Sequence, residues 1–93
     1  MPKKSASIFM LNFIREYLDG ENERLFFDLD FNYTLNQYYP KMEREDPDFA
    51  ECFVYYLAER GFDKSKGLSD VEHKKLLRQQ YDEFMAAMHD GFT

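Results

Sequence analysis

The sequence has no tryptophan, one cysteine, three prolines and four glycines in 93 residues. With Cys52 alone no internal disulfide can form, and a reducing cytoplasm is the simplest expectation. No run of 18 or more apolar residues occurs, so no membrane span is expected. Basic residues are scarce through the middle. Residues 16–59 hold twelve acids against three bases, a net of −9. Such a stretch is a poor direct binder of nucleic acid, because phosphate contacts need clustered Lys and Arg. Ligand spacings are missing too. Cys52, His73 and His89 lie on separate segments, with no C-x-x-C or H-x-x-x-H pattern to hold zinc. No serine is flanked by the glycines of a nucleophile elbow. These absences point away from an enzyme, a cofactor, a metal or a small-molecule substrate.

Aromatic rings are plentiful. Ten Phe and seven Tyr make 18% of the chain, and the apolar fraction of 44% is enough for a folded core. The formal charge is −6, but residues 60–80 run the other way, with six bases against three acids. The opening "MPKKSASIFMLNFI" resembles a secretory signal only loosely, since Asn12 and Arg15 interrupt its apolar run. Residues 1–6 read as a disordered or non-native lead, and 7–93 as a single helical domain.

Four helical segments follow from punctuation and spacing. Met10, Leu11, Ile14, Tyr17 and Leu18 share one helical face, and Gly20 stands where a C-cap glycine belongs. The second segment, 21–39, is ambiguous. Phe27, Leu29, Phe31, Tyr33 and Leu35 alternate with polar residues as in a strand. The same segment carries two helical faces, Phe27/Phe31/Leu35/Tyr38 and Leu25/Phe26/Leu29/Tyr33. Asp and Asn are poor strand formers, and no second strand is available for pairing, so helix is preferred. A helix apolar on two sides suggests a central element with several neighbours, ended by Pro40. Asp46-Pro47 starts a third helix that Gly61 closes. Ser69-Asp70-Val71-Glu72 is a capping box that starts a fourth. The expectation is an all-α four-helix bundle, orthogonal or up-down, with helices at about 7–19, 21–39, 47–60 and 69–90. The alternative is an α+β fold with a strand at 25–35. Phe13, Ile14, Tyr17, Leu29, Phe53, Leu57, Leu77, Phe84 and Met88 are the expected core.

The stretch "FFDLDFNYTLN" invites two chemical readings. Asp28, Asp30, Asn32 and Leu35 match positions 1, 3, 5 and 8 of a calcium loop. Tyr33 stands where that loop needs its turn glycine, and Tyr39 where it needs its bidentate glutamate. "FFDLDFN" also resembles the opening motif of haloacid-dehalogenase-type phosphatases, which implies a nucleophile at Asp28 and an acid/base at Asp30. The likeness covers seven residues and lacks the parallel sheet that chemistry requires.

Two surface features remain. Tyr38-Tyr39 and Tyr55-Tyr56 are adjacent pairs, and neighbours on a helix point about 100° apart, so one of each should be exposed. They form a candidate interaction patch for a protein partner or a homodimer, since tyrosine is enriched at interfaces. Glu43, Glu45, Asp46 and Asp48 form a candidate acidic surface. Most such clusters are solvated helix starts. The sharper alternative is a DNA mimic of the anti-restriction or anti-defence kind, which occupies a DNA-binding partner.

The segments "YYPKMERE", "YLAERGFD" and "LSDVEHKKLLRQQYDEFMAAMHDGF" resemble small acidic proteins, a domain of unknown function, carried on bacterial conjugative and other mobile elements. The likeness runs from Met10 to Phe92. It implies no activity and no site residues. The combined expectation is a non-catalytic protein-interaction or accessory module of a bacterial cytoplasm or mobile element.

Overall fold

The computed structural model describes residues 5–91. They form α1 (Ser5–Leu18), α2 (Arg24–Glu45), α3 (Pro47–Phe53), a π-helix (Val54–Phe62), α4 (Asp63–Ser65) and α5 (Asp70–Gly91). The α3, π and α4 pieces run on without a break, so the chain makes four helical rods. The class is all-α. Among the described residues there is no strand, and the 25–35 alternative is overturned. The chain divides into two compact units, residues 1–50 and 51–93.

The first unit is an antiparallel helical hairpin. Gly20, at φ +86°, ends α1 in the left-handed conformation that a side chain would oppose. The Glu21 N–H bonds to the Glu16 carbonyl at 2.8 Å and the Gly20 N–H to the Tyr17 carbonyl at 3.1 Å, the paired bonds of a Schellman cap. Aromatic rings hold the two helices together. Phe27 stacks on Tyr17 at 4.3 Å and on Phe13 at 5.5 Å, while Phe31 lies 6.4 Å from Phe13. Met10, Ile14, Tyr17, Phe27, Phe31, Leu35 and Met42 are buried. Phe27, Phe31 and Met42 were not among the expected core residues, and Leu29, which was, is 67% exposed. The rings of α1 decide the matter: Phe13 and Tyr17 take the Phe27/Phe31 face of α2, and the opposite face is left outward.

Pro40 does not end α2, which continues to Glu45. A helix-interior proline costs about 3 kcal/mol. Two gains lie beyond it. Met42 is fully buried, worth about 1.5–3 kcal/mol. Glu45 reaches back to the start of α1 and caps it, worth about 1 kcal/mol. Pro40 is exposed, and so is Asn36, the residue whose carbonyl it leaves without an N–H. Ser5 and Ala6 belong to α1, and Ala6 is buried; residues 1–4 lie outside the described set.

The rod that starts after Asp46 enters the second unit at residue 51, where its π-helix and α4 pack along α5. Asp46 accepts the Phe49 N–H at 3.2 Å, the cap the Asp-Pro pair signals. Phe53 meets Phe84 edge-on at 5.9 Å, and Tyr56 lies 6.4 Å from the same ring. Gly61 does not close the rod. It sits inside the π-helix, where a Cβ would come within 2.9 Å of the Leu77 Cδ2 and 3.1 Å of the Tyr56 carbonyl oxygen. The glycine is used for close approach between helices, not for a left-handed cap. Ser69 accepts the Glu72 N–H at 3.3 Å and starts α5 as the capping box predicts. The buried face of α5 is His73, Leu77, Gln80, Phe84 and Met88, so two polar side chains enter a core that the apolar residues alone do not define.

Candidate interaction surface

The helical state of α2 settles the calcium and phosphatase readings of its sequence. Asp28 and Asp30 point about 200° apart on a helix and cannot share a ligand or a substrate. Asp28 pairs with Arg24 at 3.3 Å, one turn earlier, and Asp30 is exposed. Among the described residues, no group of three or more His, Cys, Asp or Glu could hold a metal ion. His73 is fully buried in the α5 core, Cys52 is half-buried, and the His89 side chain lies outside the described set.

The tyrosine pairs fall in different units. In the first, Tyr38 stacks on Phe9 at 4.3 Å, with Lys41 over its ring at 5.6 Å, and both Tyr38 and Tyr39 are half-buried. In the second, Tyr55 is exposed and meets Tyr56 edge-on at 4.9 Å. Arg60 sits over both rings at 5.5 and 5.8 Å and lies 3.7 Å from Glu83. Its guanidinium also donates to the Tyr55 hydroxyl at 3.4 Å.

The acidic cluster is divided by use. Glu43 and Asp48 are exposed, while Asp46 caps α3. Glu45 accepts the Ala6 N–H at 2.9 Å, the Ser7 N–H at 3.0 Å and the Ser7 hydroxyl at 2.9 Å. Desolvation pushes the Glu45 carboxyl up, and the hydrogen bonds from Ala6, Ser7 and Ser5 outweigh it, leaving the pKa below the ordinary glutamate value. A pKa lower in the folded than in the unfolded chain means stability that is present above about pH 4.5 and lost as pH falls through the depressed value. Replacing Glu45 with Ala should therefore cost about 1–2 kcal/mol at neutral pH, a difference that closes on acidification. Urea titrations of both proteins from neutral pH down to about pH 3 test this, and parallel stability curves would contradict it.

One surface was visible in the sequence only as a second helical face. Leu25 is 62% exposed, Phe26 57%, Leu29 67% and Tyr33 71%. At spacings i, i+1, i+4 and i+8 they form one stripe along α2, opposite the face that packs on α1. Four side chains at such exposure offer on the order of 400 Å² of apolar surface, the size of the largest patch on a typical monomer, which is often a functional one. Asp28 and Asp30 lie to either side of it and Glu21 and Glu23 precede it, against Arg24 alone, a net of −3 over residues 21–36. No helix of the described residues is long and apolar enough to cross a membrane. Comparison with protein-family models, curated proteins and solved structures finds no match to this chain.

Proposed function

We propose that this protein is a non-catalytic interaction module that binds a protein partner through the outer face of α2. The carrying observation is the Leu25/Phe26/Leu29/Tyr33 stripe, four large apolar side chains exposed together on a helix whose other face buries Phe27, Phe31, Leu35 and Met42. An exposed contiguous stripe of this kind costs solubility and favours aggregation, so a covering partner gives it a physical reason. The Tyr55/Tyr56/Arg60 edge is a second contact of suitable chemistry, because Tyr and Arg dominate interface energetics. The single thiol and the likeness to mobile-element proteins favour work in a bacterial cytoplasm. A DNA mimic is the weaker reading, because Glu45 and Asp46 are occupied as helix caps and only Glu43 and Asp48 of that cluster are exposed.

Photo-crosslinking tests the module in cells that carry the native gene. A benzophenone side chain at position 29 should give discrete protein adducts, and the same group at Lys75, exposed on α5, should not. Absence of adducts from position 29, or identical adducts from both positions, would remove the proposal.

A further inference from the structure

We infer that the occupant of the α2 stripe is a basic amphipathic helix supplied by another protein, an inference that rests on the interaction-module reading. Charge selects among the occupants. The apolar stripe runs between Asp28 and Asp30 on α2, with Glu21 and Glu23 just before its N-terminal end, and Arg24, the one base of residues 21–36, is drawn to Asp28 at 3.3 Å. Lys41 and Arg44 come only past the far end of the stripe, and Lys41 is turned over the Tyr38 ring. A helix with apolar anchors at i, i+3, i+4 and i+7 and Lys or Arg on its flanks complements both the stripe and its rim.

The other occupants fit less well. A second copy packed stripe to stripe would bring together two surfaces of net −3. A stable homodimer also buries about 800 Å² per partner, roughly twice what one stripe of four side chains provides. A membrane surface is anionic and selects helices rich in Lys and Arg, which the 21–36 segment lacks. Packing supplies a second reason for a helical ligand. In its own unit α2 has α1 against one face only, and a helix on the opposite face would place it centrally, as a helix apolar on two sides requires.

The test uses the full chain and a labelled synthetic peptide of roughly 18 residues, helical, with Leu anchors and Lys flanks, followed by fluorescence anisotropy. A Glu-flanked peptide, a scrambled Leu/Lys peptide and anionic phospholipid vesicles are run beside it. The Lys-flanked peptide should bind, and raised salt should weaken it about fivefold. Phe26→Gln with Leu29→Gln should weaken it about tenfold or more, with helix content by circular dichroism unchanged. Asp30→Lys should weaken it several-fold while leaving the apolar stripe intact. Equal binding of the scrambled peptide, tighter binding of the Glu-flanked one, preference for vesicles, or indifference to the Phe26/Leu29 changes would each overturn the inference. A doubled mass in light scattering that the Phe26/Leu29 variant abolishes would overturn it in favour of a second copy. In either case discrete adducts from position 29 would keep the module reading alive, and their absence would end both.

Discussion

Replacing Phe31 with Ala should destabilise the protein by about 3–5 kcal/mol, while Leu29→Ala should change stability by less than about 0.5 kcal/mol. The two positions are two residues apart, neighbours in the period-2 pattern, and look alike in sequence. In the structure Phe31 is fully buried against Phe13 and Phe27, and Leu29 is among the most exposed apolar residues. Truncating Phe31 removes a ring from a stack of aromatics that can collapse only in part, so a transfer loss and a cavity loss add. Truncating Leu29 leaves a good helix former on an open face. Urea denaturation of both variants, monitored by circular dichroism, measures the contrast. Equal costs would mean that both faces of α2 are packed, which the exposed stripe excludes.

A second large effect is expected at Gly61. Gly61→Val should cost about 2–4 kcal/mol and lower the melting temperature by about 10–20 °C. Val would set three carbons where even a Cβ falls 2.9 Å from Leu77, a core residue that is fully buried. The Tyr56 carbonyl on the other side is backbone and cannot swing away. Gly61→Ala should cost less, because about 1 kcal/mol of helix propensity offsets the overlap. A Val variant as stable as the parent would show that the π-helix and α5 are not in contact there. Differential scanning calorimetry separates these outcomes.

What the sequence discloses depends on how local the determining contacts are. Gly20, Asp46-Pro47 and Ser69 mark helix ends through bonds to residues within five positions, and all three act as their types suggest. Pro40 and Gly61 carry equally strong local signals, and partners remote in sequence overrule them. Continuation past Pro40 is supported by contacts to α1, 38 and 39 residues earlier, and Gly61 answers to Leu77 across the packed rods. The π-helix has no propensity signature of its own. Its only trace is the buried series Phe53, Leu57, Ala58, Gly61 and Phe62, whose steps of four and five suit bonds from i to i+5. The candidate site was half legible. Leu25, Phe26, Leu29 and Tyr33 form a visible helical face, but with two apolar faces on one helix only the rings of α1 determine which is covered. The expected acidic surface lost Glu45 because a carboxylate's use as a cap for a distant helix leaves no mark on its neighbours, and Asp46 because it caps the helix that follows it.

Glu45 also bears on time. Its bonds join residues 38 and 39 positions apart, and they are expected to form after α1 and α2 have docked along their aromatic seam. Contacts made after the folding barrier act on the rate of opening and hardly on the rate of closing. In stopped-flow mixing, removal of the carboxylate should therefore steepen loss of the native state and leave the refolding limb in place. The last turn of α2 is then a latch on the lifetime of the hairpin, and the exposed stripe on the same helix is displayed for as long as that latch holds.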